Sequence, residues 1–178
     1  MVIGFHGTNK KIAETLCRGE KFKPSQNDFD WLGSGIYFWE YAPFRAWEWA
    51  DQNYAHSPAV VAALIRLGRC FDLLDPQNVR YLLERYEQII QTQPSLKNEG
   101  GANRLDCFVC SDYLRLAESK GIVYDSIRGA FVEARAEEMK SAWPGSGIVK
   151  DTHIQLVVRT PENIISVWPV RRDGSYGL

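Results

Sequence analysis

No run of about 18 apolar residues occurs in this 178-residue chain, and no charged-then-apolar leader opens it. Neither a membrane span nor a signal peptide is therefore expected. A dominant charge is missing too: 21 Lys and Arg against 22 Asp and Glu leave a net charge of -1. No overall field draws in nucleic acid or an anionic membrane, so such a partner must be met by a local patch. Several familiar signatures are absent: G-x-S-x-G, G-x-x-x-x-G-K-[ST], H-E-x-x-H and G-x-G-x-x-G. Gly33-Ser34-Gly35 is too short for a dinucleotide fingerprint, and the residues after it read as strand. Cysteine is scarce, with Cys17, Cys70, Cys107 and Cys110 only. Cys107-Phe108-Val109-Cys110 has C-x-x-C spacing, but it lies in a helical segment without a second pair, and His56 is the only spare ligand. No metal is expected there. Reduced thiols point to the cytoplasm.

Aromatic residues, by contrast, are abundant at 12%, with six Trp. They crowd into Phe29, Trp31, Tyr37, Phe38, Trp39, Tyr41, Phe44, Trp47 and Trp49. Part of that cluster is core, and part is suited to wall a pocket for flat groups. Hydrophobic content of 45% and mean hydropathy of -0.30 fit a globular chain. With no repeat and no linker, residues 1–178 read as one domain.

The element pattern starts with a short strand over 2–5 and a helix capped by Thr8 or Asn9, with Ile12, Ala13 and Leu16 on one face and Gly19 as the stop. A polar loop covers 22–30. A strand over 36–39 follows, then a helix over 42–55 with Phe44, Trp47, Ala50 and Tyr54 at helical spacing. Strands are expected over 60–67 and 70–74. Asp75-Pro76 starts a helix with the stripe Val79, Leu82, Leu83, Tyr86, Ile89 and Ile90. Residues 92–104 read as an exposed loop, and a further helix carries Leu105, Phe108, Val109, Tyr113 and Leu116. Strands follow over 122–126 and, after a kink at Gly129, 127–133. Residues 152–159 alternate, with Ile154, Leu156 and Val158 on one face and His153, Gln155, Val157 and Arg159 on the other. A last strand covers 164–170. This order is not the strict alternation of a doubly wound sheet, so the fold class is α+β with a split, mostly antiparallel sheet and helices packed on it.

Two segments concentrate chemistry. Phe5-His6-Gly7-Thr8 and Gly33-Ser34-Gly35-Ile36-Tyr37-Phe38 each bring a polar or aromatic group to a Gly-rich bend. His6 and Tyr37 then sit on neighbouring strands of one cleft. A His beside Gly-Thr suits ribose hydroxyls, with Gly7 letting backbone approach closely. A Tyr face suits a flat cationic ring. NAD carries both groups. Breaking its nicotinamide bond requires that the ribose be held, the ring be clamped and positive charge at the ribose be offset. Gln155 and His153 share one strand face and are as easily a polar outer edge. Glu133, after Phe131-Val132, is the candidate for a buried carboxylate. Glu40 is as easily a helix N-terminal carboxylate.

These motifs resemble the ADP-ribosyltransferase superfamily on its diphtheria-toxin and poly(ADP-ribose) polymerase side. His6-Gly7-Thr8 resembles the first motif and Gly35-Ile36-Tyr37-Phe38 the second. The likeness extends to Trp31-Leu32-Gly33, to the helix with Ala46 and Ala50, and to the late segment 151–165 with His153-Ile154-Gln155. It also covers a group of small bacterial and phage-borne proteins. The resemblance implies NAD as co-substrate, bound by His6, Gly7, Thr8, Gly35, Tyr37 and His153, with His6, Tyr37, Glu133 and Gln155 as catalytic residues. One departure is plain: Gln155 stands where relatives usually carry Glu. Gln can bond the ribose 2′-OH but adds no charge, which argues against polymer formation and leaves Glu133 to supply a carboxylate. The segment 134–150, with Trp143, is then the acceptor-facing loop.

The expected activity is transfer of one ADP-ribose to a protein or nucleic-acid acceptor, as a toxin or defence effector for which an antitoxin protein is a conceivable partner. The alternatives are NAD glycohydrolysis, RNA 2′-phosphate transfer, and a non-catalytic NAD-binding module. On this reading Tyr37→Phe is expected to be mild, since stacking needs only the ring.

Overall fold

The computed structural model describes residues 1–25, 27, 30–100, 102–132, 141–150 and 152–176. β1 (Val2–Asn9) leads directly into α1 (Lys10–Cys17). The Asn9 side chain accepts the Ile12 N–H, so the second of the two candidate caps is the one used. α1 buries Ala13 and Leu16 and leaves Ile12 exposed. β2 (Ile36–Glu40), α2 (Pro43–Asn53), β3 (Pro58–Ile65) and β4 (Cys70–Asp72) follow, then α3 (Pro76–Thr92), α4 (Arg104–Ser119), β5 (Ser126–Val132), β6 (Thr152–Val158) and β7 (Ile164–Pro169). The strands form one seven-stranded sheet in the order β4-β5-β6-β2-β1-β3-β7. Only β4 and β5 run parallel; the other neighbours are antiparallel. The class is α+β, as expected. No helix among the described residues is long and apolar enough to cross a membrane.

Side-chain alternation divides the core by sheet face. Val2, Ile36, Phe38, Val61, Ala63, Leu156 and Val158 pack on one face with α1 and Phe22. The opposite face carries two clusters. Phe5, Val60 and Ala62 meet Ala46, Trp47 and Ala50 of α2. Farther along, Phe71, Ile127 and Val157 meet Cys110 and Leu114 of α4 and Leu32 of a loop. Cys110 is thus a packing residue, and burial pushes its thiol up to about 12.

Three expectations shift. Residues 122–125 are not strand: Ile122 and Val123 are exposed, and β5 begins at Ser126. α2 buries Ala46 rather than Phe44, which lies in solvent. α3 has the best apolar stripe in the sequence, yet only Ile89 of it is buried, because the helix lies outside the sheet against α4.

The sheet is not continuous at its centre. β1 pairs with β3 along its whole length, from Val2↔Ile65 to Asn9↔Pro58. β2 pairs just as completely with β6. Between β1 and β2, however, pairing stops at Gly4↔Glu40 and Phe5↔Trp39. Past Phe5 the two strands diverge, and the sheet opens.

Candidate functional site

His6 is the first residue beyond the last β1–β2 pair. Its Nδ1 donates to the Tyr37 carbonyl at 2.9 Å. That carbonyl faces the gap, where continued pairing would have placed Gly7. The imidazole therefore fills the wedge and satisfies a backbone acceptor that the split would strand. Because a carbonyl only accepts, Nδ1 carries the proton and Nε2 of the neutral ring is an acceptor. Burial, partly opposed by the carbonyl bond, lowers the His6 pKa and keeps the ring neutral. Phe22 and Phe38 hold it edge-on and tilted, at 5.3 and 5.7 Å between centroids.

A cavity of about 370 Å³ occupies the opening. That volume falls within the ordinary range for small-molecule clefts, about 300–1,000 Å³. His6, Tyr37 and Gln155 line it together, from three strands and from positions far apart in sequence. Trp31, Trp39, Trp49, Tyr54 and Phe131 supply its aromatic walls, and Lys23, Arg45 and Asp30 its charges.

Tyr37 is fixed at its far end. Its hydroxyl donates to the Gly33 carbonyl at 2.8 Å and accepts the Leu32 N–H at 3.0 Å. Burial, then the nearby Asp30 carboxylate, raises its pKa, so it is a neutral phenol. The hydroxyl thus pins the 32–33 turn while the ring faces the cavity. Tyr37→Phe keeps the ring that stacking needs but loses that anchor, so a cost in stability is expected.

Gln155 is engaged at both ends. The Trp31 indole N–H donates to its Oε1 at 2.8 Å, and its Nε2 lies 3.1 Å from His153 Nε2. An indole only donates, so the amide oxygen must face Trp31 and the NH₂ must face His153. His153 Nε2 is therefore the acceptor of that bond. Trp31 in turn lies against Gly129, where an added Cβ would come within 2.7 Å of the indole, and is tilted on Phe131 at 5.4 Å. Gln155 holds the Trp31 wall of the cleft in place.

The remaining predicted residues fall differently. Gly7 lines the cavity, but its missing side chain makes room for α2: a Cβ there would sit 2.6 Å from the Ala46 carbonyl oxygen. Thr8 is buried at 1% exposure and does not line the cleft. Gly35 lines a neighbouring hollow with Ser34 and Val158, and its need is steric, with Val157 Cγ1 2.4 Å from where a Cβ would stand. His153 reaches the cleft through Gln155. Glu133 and residues 134–140 of the predicted acceptor loop lie outside the described residues; within 141–150, Trp143 is exposed. Glu40 is not at a helix start. It is buried and bonded by Arg128, which also binds Asp72.

Sequence reasoning missed Asp30 and Tyr54. Trp49, within α2, was grouped with the aromatics suited to wall a pocket, but nothing local tied it or Tyr54, at the end of α2, to the split.

No protein-family model matches the chain, and no solved structure matches it. A 45-residue stretch is 47% identical to an uncharacterised protein, MJ0359 of Methanocaldococcus jannaschii. That stretch is 25% of this chain and 21% of that protein, so the likeness is confined to a segment of each.

Proposed function

We propose that the protein is an NAD-dependent mono-ADP-ribosyltransferase with an ADP-ribosyltransferase-like split-sheet fold. The observation that carries the reading is the cavity at the β1–β2 opening, lined jointly by His6, Tyr37 and Gln155. In the proposed reaction the bond between ribose C1′ and the pyridinium nitrogen breaks. Its electron pair goes to the ring, which leaves as neutral nicotinamide. An acceptor atom then bonds C1′ and gives up its proton to solvent. Neutral His6, with Nε2 as acceptor, suits a ribose hydroxyl donor, and the Tyr37 ring suits the pyridinium face.

NAD labelled on its adenylate side, incubated with the protein and a cell extract, tests the reading. Label in a protein or nucleic-acid fraction supports it and names the acceptor class. Label only in free ADP-ribose makes water the acceptor, as in a glycohydrolase. Label left wholly in NAD removes the transferase reading and favours RNA 2′-phosphate transfer or a binding module.

One observation favours a module without turnover: both ends of the Gln155 amide already hold protein groups. Under that reading NAD binds and is recovered intact.

A further inference from the structure

Asp30 is the one carboxylate among the described residues that lines the cleft. Only 4% of it is exposed. Buried carboxylates are ordinarily matched to cations, since an unpaired buried charge is costly. This chain follows that rule elsewhere: Glu40 lies against Arg128, and Asp112 against Arg85 and Arg115. The hydrogen bonds to Asp30 are different in kind. Oδ1 accepts the Ser25 hydroxyl at 2.9 Å, and Oδ2 accepts the Asn27 N–H at 2.9 Å. The Asn27 amide donates to Ser25 Oγ at 2.7 Å, and Ser25 N–H donates to the Gly35 carbonyl at 2.7 Å. Neutral donors thus orient the carboxylate and tether its loop to the start of β2 without cancelling its charge. The charge is felt by Tyr37, whose hydroxyl it helps to keep protonated.

We infer that Asp30 is the specificity-determining anion of the cleft, selecting a dinucleotide whose nicotinamide ring is cationic over its neutral reduced form. This rests on the NAD reading above and adds a residue and a substrate preference to it. The aromatic surfaces of Tyr37 and Trp31 accept either ring. Asp30 is hydrogen-bonded by neutral groups, with Lys23 and Arg45 elsewhere in the same lining, and of the two rings only the oxidised one carries a charge opposite to its own. Asp30 acts in recognition, not in the bond-breaking step.

The test is calorimetric titration of the wild-type protein and Asp30→Asn with carba-NAD⁺, whose ring is cationic but whose glycosidic bond does not break, and with NADH. The wild type should prefer the cation by about tenfold, the scale of one charge pair in a partly solvated cleft. Asp30→Asn should lose that preference while its affinity for NADH stays within about twofold, a difference of under half a kcal/mol. An unchanged ratio in a folded variant overturns the assignment and leaves the NAD reading standing. Binding of neither ligand by the wild type overturns the NAD reading itself. If Asp30→Asn does not fold, 1-methylnicotinamide against nicotinamide on the wild type decides: no preference for the cation overturns the assignment.

Discussion

Glu40 and Asp30 are both buried carboxylates close to β2, and they are treated in opposite ways. Glu40 ends β2 on the face opposite Tyr37, 8% exposed, with Arg128 at 2.8 Å. Arg128 reaches on to Asp72 at 2.9 Å, which clamps β4, β5 and β2 across the β6 strand between them. Asp30 is as deeply placed but is held by an alcohol and an amide N–H, beside the cavity. One charge is neutralised where the sheet must be tight. The other is preserved where the sheet has opened. Burial alone therefore does not separate a carboxylate matched by a cation from one held by neutral donors beside a cavity; the charge of the partners does.

Breaking the paired charge should have the largest effect. Arg128→Ala leaves Glu40 buried without its cation, and destabilisation of about 3–5 kcal/mol is expected by denaturant unfolding. Tyr37→Phe comes next, because the Leu32 N–H loses its acceptor in a residue that is fully buried. About 1–3 kcal/mol should be lost, with the 32–33 turn loosened. Ser25→Ala removes one hydroxyl bond to the Asp30 carboxylate and the acceptor of the exposed Asn27 amide, and should cost about 1.5 kcal/mol, the low end for a bond to a charged group.

A smaller, pH-dependent effect belongs to His6. Its folded pKa lies below its ordinary value of 6.5, so the unfolded chain takes up a proton there that the folded chain refuses. Stability should fall as pH drops through 6.5, and the fall should end below the folded pKa. Comparing melting temperatures of the wild type and His6→Gln between neutral and mildly acidic pH isolates this slope. Asp30→Asn should be the smallest in stability. Burial raises the Asp30 pKa, so ionisation at neutral pH opposes folding, and removing the charge should leave melting unchanged or slightly raised. A large loss there would make Asp30 a second Glu40 and erase the contrast.

Much of the scaffold was legible because its signals are local. Alternation in β6 placed Gln155 and Val157 opposite Leu156 and Val158, and Asn9 and Asp75 cap the helices they precede. His6 and Tyr37 were legible as strand residues beside Gly-rich bends. The roles of Glu40 and Gln155 were not, because each is decided by a residue remote in sequence: Arg128 lies 88 positions from Glu40, and Trp31 lies 124 from Gln155. The α3 stripe shows the converse. Its 3.6-residue period is clear, but period says nothing about whether a partner surface exists, and Leu83 is 54% exposed. Gly7 was read as letting backbone approach a ligand closely; it does line the cavity, and its bare Cα is also needed by α2, whose Ala46 carbonyl a Cβ would meet.

The imidazole of His6 in the strand gap has a kinetic consequence. A sheet prised apart by a ligand must break ladder bonds on every visit, and that step slows association. Here the stranded carbonyl already has its donor, so the opening is a resting state of the molecule. A ligand meets a door held ajar, and arrival should be limited by diffusion and orientation, not by strand separation.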